Sequence, residues 1–148
     1  MVLVTNSESI IERERSRTEV RSELQHSMYS VIVGDESAKQ KILSAMADPY
    51  SRKIMAATMH DAVGALTLAK ECGIPVTTVY RRIEELVEAG LVASVRASRT
   101  KDGKWYDLYL STIRRIDISS ENGTLMVGLA KNEKVPEKFT RTLTAPIL

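Results

Sequence analysis

In the middle of the chain, apolar positions recur with the period of an α-helix in two successive runs. The first run covers residues 65–72 and ends at Gly73, and the second begins at Pro75 and stops before Gly90. Proline near the first helical position and glycine just beyond the last are strong signals of helix boundaries. The pattern therefore predicts a short helix, a glycine turn and a longer helix over residues 75–89.

The longer helix separates its apolar and polar side chains onto opposite faces when residues are placed about 100° apart. The apolar face consists of Val76, Val79, Ile83, Leu86 and Val87. The opposite, outward face consists of Thr77, Thr78, Arg81, Arg82 and Glu85. Short hydrogen-bonding side chains and arginines thus fill its N-terminal half, as expected of a helix that enters the DNA major groove by its N-terminal end.

After Gly90 the repeat of apolar positions shortens to about two residues, which predicts strands. The four predicted strands cover residues 91–98, 104–110, 113–119 and 124–129. Asp-Gly and Asn-Gly pairs between them favour tight turns, so the pattern indicates two β-hairpins. The first hairpin has a basic loop over residues 99–103. On its second strand, Trp105, Tyr106 and Tyr109 are predicted to be core and strand-packing residues rather than platforms on which bases stack.

Before the central helices, the pattern predicts helices over residues 7–27, 37–47 and 49–59. The first has a narrow apolar stripe that includes Ile10, Val20 and Leu24. This stripe fits a helix from a second subunit about as well as a solvated, frayed helix. We expect four segments: a charged helix and linker (1–36), a helix-and-wing domain (37–111), a C-terminal hairpin (112–130) and an irregular tail (131–148).

Composition excludes several classes of protein. The chain has 148 residues, of which 43% are hydrophobic and 27% charged, typical of an ordinary globular domain. Its single cysteine, Cys72, excludes an internal disulfide framework and a cysteine-rich zinc module, and we predict a buried, inert thiol. The N-terminus lacks the features of a signal peptide, and no stretch is apolar enough to span a membrane. We therefore expect a cytoplasmic protein that does not bind membranes.

Positive charge is concentrated in one short segment. The whole chain carries a formal charge of only +2, but residues 91–115 hold six basic residues against two acidic ones, a local charge of +4. The basic residues are Arg96, Arg99, Lys101, Lys104, Arg114 and Arg115. A local basic patch favours a polyanionic partner such as DNA.

Two stretches of sequence resemble a known family. LAKECGIPVTTVYRRI at 68–83 and EAGLV at 88–92 look like the winged-helix regulators of prokaryotes, most nearly the ArsR-like group found widely in archaea. DPYSRKI at 48–54 is similar to that group's opening helix, DP-x-x-R-x-x-I/L. The resemblance spans about residues 40–111 and implies a winged helix-turn-helix fold that binds double-stranded DNA. Metal-sensing members carry a Cys-x-Cys pair near this motif, whereas this chain has only Cys72.

The sequence thus predicts an α+β winged helix-turn-helix protein with an N-terminal helix and an extra C-terminal β-hairpin. We expect a homodimeric, sequence-specific transcription regulator, not an enzyme, with no metal or cofactor. Its expected DNA-binding residues are Thr77, Thr78, Arg81 and Arg82 on the helix and Arg99, Lys101 and Lys104 on the wing. Two alternatives stay open: a winged-helix module that binds protein, and a regulator of the same fold gated by redox state or by an unidentified small molecule.

Overall fold

The computed structural model describes residues 10–17 and 31–140. Residues 10–17 form a helix, α1, in which every side chain is exposed. The predicted apolar stripe reaches Val20 and Leu24, which lie outside the described residues. Within the described ranges, no helix is both long enough and apolar enough to cross a lipid bilayer.

Residues 31–140 form four α-helices, six strands and one 3-10 helix. The helices are α2 (Glu36–Ala47), α3 (Pro49–Ala57), α4 (Ala65–Cys72) and α5 (Val76–Glu88). The strands are β1 (Val31–Ile32), β2 (Val63–Gly64), β3 (Val92–Arg99), β4 (Trp105–Ser111), β5 (Ile113–Glu121) and β6 (Thr124–Lys131), and a 3-10 helix covers Glu137–Phe139. Helices α2–α5 and the two hairpins are confirmed, each boundary to within two residues. The sequence does not predict β1, β2 or the 3-10 helix, because elements this short show no periodicity.

The six strands form two antiparallel sheets, each built on one hairpin. The first sheet has the order β2-β4-β3, in which Val63 pairs with Tyr109. The second has the order β1-β6-β5, in which Val31 pairs with Leu129. Asn122 and Gly123 both have positive φ angles in the β5–β6 turn, as a tight hairpin requires. Each hairpin therefore gains a third, short strand from a segment that precedes it in the chain.

One continuous apolar core joins the helices to both sheets. The helices contribute Ile42, Ile54, Leu68, Val79, Ile83 and Leu86, and the β-strands with the residue before β3 contribute Leu91, Val92, Ile113, Val127 and Leu129. Because Val127 and Leu129 lie in the same cluster as the helical residues, the second sheet packs directly on the helices.

A buried polar junction lies where β4 ends and the chain continues into the second sheet. The Ser111 backbone N–H donates to the Thr58 carbonyl (2.8 Å), and the Thr112 N–H donates to the Leu91 carbonyl (2.9 Å). The Asn132 side chain donates to the carbonyls of both Ser111 (2.8 Å) and Met59 (2.9 Å). These bonds satisfy buried backbone groups at the point where α3, β4 and β6 meet.

Two sequence predictions about packing are wrong. Val76 and Val87 are exposed, because α3, α4 and β3 cover only the strip of α5 through Val79, Ile83 and Leu86. Trp105 is 68% exposed instead of packing in the core, and Tyr106 is also exposed while its ring lies against Gly64. Both aromatic side chains stand next to the turn of the β3–β4 hairpin, away from the helical core.

The core predicts a sharp difference between two leucines on α4. Leu68 is fully buried and Leu66 is 64% exposed. We expect Leu68→Ala to lower the free energy of unfolding by about 2–5 kcal/mol, because it leaves a cavity among packed side chains. Leu66→Ala, the matched control, should change it by less than about 0.5 kcal/mol. Urea denaturation of the two variants measures both values, and equal losses would contradict this assignment of the core.

Candidate nucleic-acid interface

The turn between α4 and α5 sets the angle at which α5 leaves the domain. Gly73 ends α4 in the left-handed conformation, with a φ of 64°. The next N–H, of Ile74, donates to the Ala69 carbonyl (3.0 Å), and the Ile74 side chain is buried. Pro75 then precedes the first residue of α5. Gly73 at the end of α4, the buried Ile74 side chain and Pro75 before α5 thus hold the two helices in a compact turn.

The exposed side of α5 carries some, but not all, of the residues predicted to face outward. Thr77 and Arg81 are exposed, whereas Thr78 and Arg82 are only partly exposed at the edge of that side. The N-terminal half of the exposed side also includes Tyr80, which is 51% exposed. Sequence reasoning missed Tyr80, although its spacing of three residues from Thr77 places the two on one helix face.

Tyr80 is among the groups that influence the pKa of Tyr109 on β4. Burial raises the pKa of the Tyr109 phenol on β4, and the nearby groups of Asp107 and Tyr80 raise it further. Helix α5 packs against β3 of the same sheet. The helix and the base of the wing form one surface.

Arg82 is turned toward α3 instead of outward. Its Nε lies 3.0 Å from Asp48 Oδ2, and its Nη1 donates to Glu85 Oε2 at 3.1 Å. Only 22% of the Arg82 side chain is exposed. Arg82 therefore lies at the edge of the exposed side of α5, and the carboxylate at the start of α3 draws its guanidinium back against the domain.

Asp48 caps α3 and also forms an ion pair with α5. As the N-cap of α3, its Oδ2 accepts hydrogen bonds from the Ser51 N–H (2.7 Å) and the Ser51 hydroxyl (2.8 Å). Burial acts to raise the pKa of the Asp48 carboxyl, but the Ser51 hydrogen bonds and the charge of Arg82 outweigh it and hold the pKa below its ordinary value. Asp48 thus remains charged and fixes the recognition helix to α3.

The tip of the β3–β4 hairpin, which we call the wing, is closed by its own hydrogen bonds. The Thr100 N–H donates to the Lys104 carbonyl (2.8 Å), and the Lys104 N–H donates to the Thr100 hydroxyl (3.1 Å). Gly103 has a φ of 82°, which glycine adopts without strain. The loop therefore presents its side chains from a defined backbone.

The three predicted basic residues of the wing are all exposed. The Arg99 guanidinium lies over the Trp105 ring, 5.3 Å from its centre, and its Nε donates to the Gly103 carbonyl (3.2 Å). Lys101 and Lys104 form no ion pair within the part of the chain that the structure describes. Two free ammonium groups and one oriented guanidinium make the wing tip positively charged.

One comparison identifies the central region. Residues 46–95 match the sequence model of a helix-turn-helix domain. The chain contains a helix-turn-helix domain. The match runs from the end of α2 into β3, and the β3–β4 hairpin completes a winged helix-turn-helix fold of the α+β class. No curated protein matches the chain. A domain of this kind supports DNA binding.

Cys72 and the other metal-ligating residue types do not form a cluster in the described ranges. Among residues 10–17 and 31–140, no three His, Cys, Asp or Glu side chains are grouped closely enough to hold a metal ion. The Cys72 thiol is partly buried and lies 3.9 Å from the Lys53 carbonyl oxygen. Burial, followed by the charge of Glu71, raises the pKa of this thiol and so disfavours the reactive thiolate.

The lowered pKa of Asp48 predicts a pH-dependent contribution to stability. A carboxyl with a lowered native pKa stabilises the fold above its unfolded pKa, and this contribution is lost as pH falls through the native value. We expect Asp48→Ala to lower the free energy of unfolding by about 1–2 kcal/mol at neutral pH. Its difference from the unmodified protein should shrink as pH falls below about 4.

Asp48→Asn is the matched control, because asparagine keeps a capping acceptor but not the charge. Its deficit should be smaller than that of Asp48→Ala and should fade over the same acidic range. Urea denaturation at a series of pH values measures both curves. Deficits that do not change with pH would contradict the lowered pKa of Asp48.

Proposed function

We propose that this protein is a sequence-specific, double-stranded-DNA-binding transcription regulator of the ArsR-like type, which acts as a homodimer in the cytoplasm without catalysing a reaction. The observation that carries the proposal is the exposed N-terminal half of α5, within a helix-turn-helix domain, beside a positively charged wing. Side chains that can donate hydrogen bonds to bases are exposed there.

In this proposal, α5 enters the major groove and Arg81 reads a base. An exposed arginine in the second turn of a recognition helix can donate two hydrogen bonds to O6 and N7 of a guanine, which discriminates by about 1–3 kcal/mol. Thr77 and Tyr80 share the exposed side with Arg81 and are placed to contact bases or phosphates beside it. Thr78, at the edge of that side, contacts a phosphate.

Arg82 has a different role in the proposal. Its ion pairs with Asp48 and Glu85 already engage the guanidinium, so it positions α5 rather than reads sequence. A helix held at a defined rotation is needed if Arg81 is to reach one particular base edge. Arg82 therefore contributes to DNA binding mainly through Asp48.

The wing contributes affinity that depends little on sequence. Arg99, Lys101 and Lys104 neutralise phosphates beside the groove that α5 occupies, and the counterions that they displace add a salt-dependent term to the binding free energy. The contact between Arg99 and Trp105 orients one of these cations before DNA arrives.

A homodimer would contact more base pairs than a single recognition helix can. One such helix contacts only a few base pairs, and two-fold dimers extend the site by reading half-sites about one helical turn apart. The proposed operator is accordingly an inverted repeat. Selection of bound fragments from genomic DNA would identify it.

Arg81 and Arg82 provide a test of the recognition helix. We expect Arg81→Ala to weaken binding to the selected operator by about tenfold or more while changing binding to random duplex much less. Arg82→Ala should lower affinity for both duplexes by a similar factor, together with the free energy of unfolding, because it releases Asp48. Electrophoretic shift assays on the two duplexes measure these ratios. Parallel losses on both duplexes for Arg81→Ala would show that Arg81 is not a base reader.

Lys101 provides a test of the wing. We expect Lys101→Ala to weaken binding to all duplexes alike and to reduce the slope of log affinity against log salt by about one unit. Lys138→Ala, which removes an exposed lysine from the 3-10 helix, is the control and should leave the slope unchanged. Shift assays over a range of salt concentrations give the slopes. An unchanged slope for Arg99, Lys101 and Lys104 all replaced by alanine would exclude the wing from the DNA contact.

A further inference from the structure

Within the described residues, strand β5 is a long edge strand of the second sheet. Within the described residues it pairs with β6 on one side and with no strand on the other. An irregularity in its pairing lies between Ile113 and Arg115. From Arg115 to Glu121 the pairing with β6 is regular, one residue opposite one residue, up to the turn. The free edge therefore offers seven consecutive residues with strand geometry to another strand.

The apolar face of the second sheet continues to this edge without being fully covered. Ile116 stands opposite Leu129 and Ile118 opposite Val127, so both isoleucines lie on the face that packs on the core. Leu129 and Val127 are fully buried, but Ile118 is 39% exposed. Within residues 10–17 and 31–140, no strand covers the apolar face beyond β5, and a neighbouring strand there would cover Ile118.

We propose that a second copy of this chain covers that edge. In the proposed dimer, the two β5 strands pair antiparallel about a two-fold axis that passes through Ile118 perpendicular to the sheet. The two three-stranded sheets then become one six-stranded sheet with two β5 strands at its centre. This inference rests on the proposed homodimer and assigns its interface.

The charges of β5 select this register. With the axis at Ile118, Arg115 stands opposite Glu121 of the partner subunit at both ends, and Ile118 meets Ile118 of the partner subunit at the centre. An axis at Asp117 places two aspartates opposite each other. An axis at Ser119 places Asp117 opposite Glu121 of the partner subunit. Since like charges directly opposite each other destabilise a strand pair, only the register centred on Ile118 among these three is favourable.

The position of Arg115 agrees with this arrangement. Its Nε lies 2.7 Å from Asp117 Oδ2 on its own strand, and 47% of its side chain is exposed. In the dimer it gains the carboxylate of Glu121 of the partner subunit. Glu121 is itself exposed and has no ion pair within the described residues. The proposed contact thus adds one opposite charge to each of these exposed side chains.

The symmetry also suits binding to one duplex. An axis perpendicular to the sheet keeps the core-facing side of both copies on the same side. The helices pack on that side of the second sheet, as the shared core shows. Both helix-turn-helix domains therefore project from the same face of the six-stranded sheet, as two domains that read adjacent half-sites must.

A charge exchange at the ends of the strand pair tests the proposal on the full chain without DNA. Light scattering should give the unmodified protein twice its monomer mass of 16.5 kDa. Arg115→Glu and Glu121→Arg each create two like-charge pairs and should each raise the dimer dissociation constant about tenfold or more. The double variant restores opposite charges and should recover most of the lost affinity. Lys101→Glu, the same change of charge on the wing, should leave the mass unchanged.

Disulfide cross-linking tests the register. In a Cys72→Ala background, Ile118→Cys should cross-link to Ile118→Cys of the partner subunit under mild oxidation, because directly opposite Cα atoms lie about 5 Å apart. Ser119→Cys is the control. It lies on the other face of the sheet and about 8 Å from its counterpart, beyond disulfide reach.

Two results would overturn the inference. The first is a monomer at all concentrations in light scattering. The second is a dimer that resists Arg115→Glu and does not cross-link at Ile118→Cys, which would place the interface elsewhere, as at α1. Neither result tests DNA binding. A shift assay with the same preparations measures that activity separately.

Discussion

The rotation of α5 about its own axis is the constraint that decides which of its side chains are exposed. Val79, Ile83 and Leu86 are buried against α3, α4 and β3, and burial of three large aliphatic side chains is worth several kcal/mol. Any other rotation would expose this strip to water. Because these contacts determine which residues of α5 point away from the domain, they also determine that Tyr80 and Arg81 are exposed while Arg82 is turned back toward Asp48.

The second sheet is held to the winged helix by polar as well as apolar contacts. Backbone groups of Thr58, Met59 and Leu91 are satisfied by Ser111, Thr112 and Asn132 at the buried junction. A buried hydrogen-bonding group left without a partner costs about 1–3 kcal/mol, so these bonds restrict how the hairpin can sit on the helices. The orientation of the β5 edge relative to the recognition helix is therefore defined by the fold, which is what a dimer reading two spaced half-sites requires.

Much of the fold and part of the candidate site could be predicted from the sequence. Gly73, Pro75 and Gly90 mark helix ends through local backbone chemistry, and the strand period after Gly90 indicates the hairpins, so these predictions did not need tertiary contacts. The exposure of Thr77, Arg81 and the wing cations followed from the same patterns. The exposure of Trp105 did not, because an aromatic residue on a strand is buried only where another element covers that strand.

The sequence by itself determined which segments are helices and strands, where they turn and where positive charge accumulates, since propensity, glycine and proline act over a few residues. Only the tertiary structure decided which part of each amphipathic face is buried. Val76 and Val87 are apolar yet exposed, and Arg82 is charged yet mostly covered, because the neighbours that decide these positions are distant in sequence. Asp48 reaches Arg82 from another helix, and that separation of 34 residues is invisible to any local pattern.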